Sequence, residues 1–275
     1  MRTNATASTG SRPGGADVDS IFGHVLVGID ATPESLVAAA QAGVLRSSDG
    51  RLVLLAVAER YLAAQAGLAA VEADDHLVSA VSDDLAQARE LVEADEVILA
   101  SGRLVDLLCG ECSRRGATLI AVGVRPHRRL MALTFGGHDV EALHDAPCSV
   151  LLARPGWGPH KPERIVVAVD GSPESRAAEA TARSLAGRLG CELLPVVGLA
   201  DAVDLAVLRA DRDEALLDPG PLADAVAHAA STGSLVVVGR GRERGRRWGG
   251  SVVERVVYAT RCSVLVVQHE PTAPA

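Results

Sequence analysis

One stretch of this chain is written twice. His24–Ser35 reads HVLVGIDATPES and Arg164–Ser175 reads RIVVAVDGSPES, so Asp30 falls opposite Asp170 at an offset of 140 residues. Further along, LIAVG at 119–123 returns as LVVVG at 235–239, offset by 116, and APCSVLLAR at 146–154 returns as TRCSVLVVQ at 260–268, offset by 114. Self-similarity on this scale means two copies of one supersecondary plan, which removes most other architectures from consideration. The offset falls from 140 to 114, so the second copy is 26 residues shorter, and most of the loss lies between its first and fourth strands. Between the copies stands PGWGPHKP, Pro155 to Pro162, dense in turn-forming residues and read as a linker.

Within each copy, short runs of Val, Ile and Leu bounded by glycine or aspartate read as strands buried on both faces. In the first copy the pattern predicts strands at 24–29, 51–57, 96–100, 118–123 and 148–153. Helices are expected at 33–46, 104–115 and 138–144, with a long helical region at 60–93. The second copy repeats the strands at 164–169, 191–197, 235–239 and 263–267, with a short third strand within 214–218. Thr32 and Ser172, each followed by proline, supply an N-cap and a first-position proline to the helix after the first strand. Strands alternating with helices make an α/β fold with a parallel sheet covered on both faces. The expected division is a tail at 1–20, a first domain at 21–154, the linker at 155–162, a second domain at 163–269 and a tail at 270–275.

Ligands of such sheets bind outside the strand carboxyl ends, where the strand order switches. Both aspartates and both glycine-rich loops fall at such ends. The loop from Gly239 to Arg247 carries three glycines and five arginines, and Gly250 and Ser251 precede Val252, Val253, Val256 and Val257, spaced as one helical face. A loop of this kind entering a helix offers free N–H groups and the positive end of the helix dipole to a phosphate. With the turn capped by Thr32 and Ser172, Asp30 and Asp170 are expected to be free to face the crevice. The bland reading of both is that aspartate starts a turn.

The rest of the composition narrows the function. A net charge of −8 argues against general affinity for nucleic acid, and two each of Phe, Trp and Tyr argue against a base-stacking platform. The first twenty residues have no apolar core of a signal peptide, no run is long enough to span a bilayer, and the five cysteines are odd in number. A cytoplasmic protein without membrane contact is the expectation. No Walker-type phosphate loop, dinucleotide fingerprint, nucleophile elbow or metal-ligand spacing is present, so neither a catalytic residue nor a metal site is assigned. Cys109 and Cys112 form a C-x-x-C within a predicted helix; with no second pair for zinc, helix packing is the favoured reading over redox or metal use.

The residues DGSPES after the first strand, VVVG before the loop, Gly-Ser opening the last helix and CSVLVV in the last strand resemble the universal stress protein family, and both copies carry the likeness from about residue 22 to 268. The resemblance implies two tandem Rossmann-like (adenine nucleotide alpha hydrolase-like) domains, each a five-stranded parallel sheet with helices on both faces. It implies pairing through the last strands, either between the two domains or in a homodimer. Some members bind ATP, with Mg2+ only alongside the nucleotide, through an aspartate after the first strand and a loop written G, two residues, G, nine residues, G, then Ser or Thr. In the first copy Gly123 and Gly136 keep the spacing, but Pro126 and Gly137 replace the second glycine and the hydroxyl residue. That site, with Asp30, is expected to be degenerate. The second copy keeps the residues on a loop two positions shorter. The resemblance there assigns Asp170, Val197, Gly239, Gly241, Arg242, Gly250, Ser251 and Val252 to an adenine nucleotide. Two readings stay open: a nucleotide-binding stress or regulatory protein without appreciable enzymatic activity, and a structural or interaction protein that binds no nucleotide.

Overall fold

The computed structural model of the chain describes residues 21–30, 32–57, 85–100, 102–124, 146–198, 216–217, 222–240 and 252–269. In the first half, strands β1 (His24–Ile29), β2 (Arg51–Val57), β3 (Glu96–Ala100), β4 (Leu119–Gly123) and β5 (Ser149–Ala153) accompany helices α1 (Pro33–Leu45) and α2 (Leu104–Arg115). The second half holds β6 (Arg164–Val169), β7 (Glu192–Val197), β8 (Leu216–Leu217), β9 (Leu235–Gly239) and β10 (Ser263–Val267), with α3 (Pro173–Leu189), α4 (Leu222–Ala229) and α5 (Val252–Ala259). The strands agree with the sequence pattern to within one residue at each end, and the short third strand of the second half is β8. Of the expected region 60–93, residues 85–92 are helical and 58–84 lie outside the described residues, as does the expected helix 138–144. Thr32 and Ser172 cap α1 and α3 as expected, each accepting a hydrogen bond from the serine amide three residues on, with proline in the first turn.

Among the described residues the ten strands form one sheet in the order β3-β2-β1-β4-β5-β10-β9-β6-β7-β8. All neighbours are parallel except β5 and β10, which meet antiparallel. The pleat sorts the side chains. Val25, Val27 and Ile29 of β1 pack on one face with Ala38, Ala39 and Ala42 of α1, while Leu26 lies on the other with Leu104 and Leu108 of α2. The second half does the same with Ile165, Val167 and Val169 under α3 and with Val166 and Ala168 under α4 and α5. Because both faces are covered, the strands read as unbroken apolar runs rather than as alternating ones.

The two halves join through β5 and β10, in the register Val264↔Leu152, Leu265↔Leu151 and Val266↔Val150. Leu151 and Leu265 occupy the same repeat position, so a local two-fold axis passes between them. Ser149 and Ser263, also equivalent, obey it: Gln268 N donates to Ser149 Oγ at 3.1 Å, and Arg154 N donates to Ser263 Oγ at 2.9 Å. The side chains depart from that symmetry. The fully buried Arg154 guanidinium donates to Val257 O at 2.7 Å, Cys262 O at 2.9 Å and Thr260 O at 3.2 Å, closing the carboxyl end of α5. Burial pushes its guanidinium below the usual range, yet these carbonyls, at the negative end of a helix, suit a cation. Within the connection 155–162, Trp157 is buried, and Gln41 of α1 donates to Arg154 O at 2.9 Å and to Trp157 O at 2.8 Å.

Candidate functional site

The carboxyl ends of β6, β7 and β9 lie on one edge of the sheet. The chain runs outward from β6 to β7 and β8, then returns to β9 on the other side of β6. The strand order therefore switches between β6 and β9, the place where sheets of this kind form a crevice for ligands. Asp170 follows Val169, whose register partner is Val197, the last residue of β7. Gly239 ends β9, and Val252 opens α5. The fold thus brings Asp170, Val197 and Gly239 to one edge. Gly241, Arg242, Gly250 and Ser251 lie outside the described residues, as does Gly136 of the first half. Asp30 and Gly123 take the equivalent places at the ends of β1 and β4.

The aspartates are not left free by the helix caps. Asp170 Oδ1 accepts the Ser172 amide at 2.9 Å, and Asp30 Oδ1 accepts the Thr32 hydroxyl at 2.6 Å. Each carboxylate closes the turn that leads into its helix, because the residue two positions on presents a donor back to it. Burial alone would raise the Asp170 carboxyl, but the hydrogen bonds from Ser172 outweigh it and hold the group below the usual carboxylate range. A depressed folded-state value has a definite sign. The stabilisation is complete above the unfolded aspartate value, near 4, and is lost as pH falls through the lower folded value. The urea midpoint of the native chain should therefore fall more steeply than that of Asp170→Asn as pH drops below about 4. Parallel curves would show that the turn gains nothing from the charge.

The glycines closing β4 and β9 have a structural cause beyond any ligand. A Cβ on Gly239 would overlap the Glu174 carbonyl and lie 2.9 Å from Ser175 N, in the first turn of α3. At Gly123 the same atom would overlap the Glu34 carbonyl and stand 2.6 Å from Ser35 N in α1. Strand end and helix start thus touch backbone to backbone, which only glycine permits. Arg240, the first arginine of the loop after β9, is held at the junction of the halves. Its guanidinium reaches across the junction to Ala146 O, and to Cys148 O at 2.9 Å. Ala146 and Cys148 are the repeat counterparts of Thr260 and Cys262, the residues held by Arg154. Two arginines at unrelated repeat positions therefore bind the same pair of carbonyls in opposite halves. The shared Cys-Ser of the two copies was the available signal for this junction; Gln41 and Arg154 left none.

A second concavity of about 440 Å³ opens at the amino ends of β1, β2 and β3, away from the crevice, and is lined by His24, Arg51, Asp95, Glu96 and Arg115. Its charges are largely paired: Arg115 makes two hydrogen bonds to Glu96, at 2.6 and 2.7 Å, and one to Glu111 at 2.7 Å. Hydrogen bonds from Arg114 and Arg115 hold the Glu111 carboxyl at about 2. No cluster of three or more metal-binding side chains occurs among the described residues. Nor is any described helix long and apolar enough to cross a membrane.

The model of the Universal stress protein family matches residues 22–154. A universal stress protein from Archaeoglobus fulgidus superposes with a TM-score of 0.64 at 17% identity, covering 90% of this chain and 98% of that one. A functionally unknown protein from Pseudomonas aeruginosa PAO1 superposes with a TM-score of 0.60 at 20% identity, covering 92% and 95%. At these identities the likeness is one of fold, and it extends over both halves. No curated protein matches the sequence.

Proposed function

We propose that this chain, whose residues 22–154 match the model of the Universal stress protein family, acts as a stress-response or regulatory protein that binds an adenine nucleotide, ATP in the first instance, in the crevice of its second half. The observation that carries this reading is the half-buried, ionised Asp170 at the switch point between β6 and β9. The nucleotide's adenine or ribose donors would meet that carboxylate and the end of β7 at Val197. Its phosphates would lie toward Gly239, Gly241, Arg242, Gly250, Ser251 and Val252, with Mg2+ arriving only alongside them. The first half, where Pro126 replaces a loop glycine, is not the site. The protein acts by binding rather than by turnover. A second reading has its own support. The β5–β10 pairing joins both halves into one continuous sheet, a scaffold suited to partner binding without any nucleotide.

Calorimetric titration of nucleotide-free protein with ATP and Mg2+ separates the two. The expected result is one site per chain, weakened roughly tenfold by Asp170→Asn, the value of one charge-assisted hydrogen bond, and unchanged by Asp30→Asn. Asparagine keeps an acceptor for the Ser172 amide, so the helix cap survives the test. Two equivalent sites would restore the first half as a site. Absence of binding up to millimolar ATP would leave the scaffold reading.

A further inference from the structure

None of the five cysteines is in a disulfide, yet two of them meet inside the first half. Cys112 lies in the last turn of α2, and Cys148 stands directly before β5, 36 residues on. Their sulfurs are 3.1 Å apart, only about 1 Å beyond the length of a disulfide bond. Both residues are buried, at 2% and 6% exposure, among Leu108, Ala117 and Ile120. The C-x-x-C of the sequence, read as helix packing, sets Cys109 nearest to Cys112 along the chain, but in the folded chain it is Cys148 that Cys112 touches.

We propose that Cys112 and Cys148 are a thiol-oxidation site that closes into a reversible disulfide, tying the end of α2 to the strand that joins the two halves. The surroundings assign the roles within the pair. Contact with Cys112 and burial both push the Cys148 thiol up, so the proton stays there. Contact with Cys148, aided by the Arg240 charge, draws the Cys112 thiol below its ordinary range, toward the reactive thiolate. With a hydroperoxide as oxidant, the Cys112 sulfur attacks the O–O bond and becomes a sulfenic acid, and the first oxygen leaves as water or alcohol. The Cys148 sulfur then displaces the sulfenic oxygen, which leaves as a second water with the thiol proton. Two thiols are oxidised, one peroxide bond is reduced, and a dithiol reductant reverses the change. The carbonyl of the same Cys148 accepts a hydrogen bond from Arg240, so the bond would form at the junction of the halves. This site does not depend on the nucleotide reading.

The test uses the full reduced chain and hydrogen peroxide, followed by alkylation in denaturant and peptide mapping without reductant. The expected product is one intramolecular link between the peptides holding Cys112 and Cys148. The denatured thiol count should fall from five to three and recover with dithiothreitol. Cys109→Ser should still form the link, whereas Cys112→Ser and Cys148→Ser should not. Because the mapping is done on the native chain and on Cys109→Ser, the result stands even if a core variant fails to fold. A link through Cys109, a link between chains, or five unchanged thiols at peroxide levels that oxidise free glutathione would each overturn the proposal.

Discussion

Arg154→Ala should lower the unfolding free energy by roughly 3 kcal/mol, read as a fall in the urea midpoint at unchanged slope. The guanidinium is buried and donates to Val257 O, Thr260 O and Cys262 O. Truncation leaves three carbonyls at the end of α5 without it, and each buried carbonyl left bare costs about 1–3 kcal/mol, partly recovered if water enters the space. Arg154→Lys should recover only part of the loss, because one ammonium cannot reproduce a planar fork of donors. Gln268→Ala at the equivalent position of the second half is the control, with an expected cost of about 1 kcal/mol or less, since its contact with Ser149 is made by the backbone. Equal effects at 154 and 268 would mean that the junction rests on the strand pairing alone.

Gly239→Ala is expected to cost about 3 kcal/mol, the upper end for overpacking, because the atoms it strikes are the Glu174 carbonyl and the Ser175 amide rather than a mobile side chain. Gly123→Ala should cost a similar amount against Glu34 and Ser35. Denaturation measures the first quantity for both. The two variants separate in a second measurement. Gly239→Ala pushes β9 away from the start of α3 and should weaken ATP binding, whereas Gly123→Ala, in the other half, should leave it unchanged. Loss of binding in both variants at equal stability would argue that the nucleotide responds to the whole sheet and not to one crevice.

The carboxyl-edge crevice was partly legible in the sequence. Asp170 and Gly239 follow apolar runs of fixed length, so their place at strand ends could be counted out before any tertiary contact was known. Their local roles could not. Asp170 was expected to be free once Ser172 had capped the helix, but the serine amide and hydroxyl are separate groups. The hydroxyl caps Ser175 while the amide holds Asp170. Gly239 was read as room for a phosphate, and what fills the space beside it is the first turn of α3, some 64 residues earlier in the chain. Nothing in a sequence says which way a loop arginine turns, so the contacts of Arg240 could not be read from it. C-x-x-C spacing likewise identifies thiols that are close along a helix, whereas Cys148 reaches Cys112 through the folding of β5 beside β4.

What the sequence alone determined is the doubled α/β plan: strand positions to within a residue, both helix caps and the short β8. These depend on local periodicity, on capping chemistry and on a repeat that shows each pattern twice. The tertiary structure alone decided that the last strands pair with each other inside one chain, in the register of Leu151 against Leu265. An edge strand carries the same unpaired N–H and C=O groups whether its partner is in the same chain or another, so its sequence cannot name that partner. The choice is made by side chains far away in the sequence. Gln41 of α1, Arg154 after β5 and Arg240 after β9 each find carbonyls or hydroxyls across the junction only when β5 and β10 lie side by side.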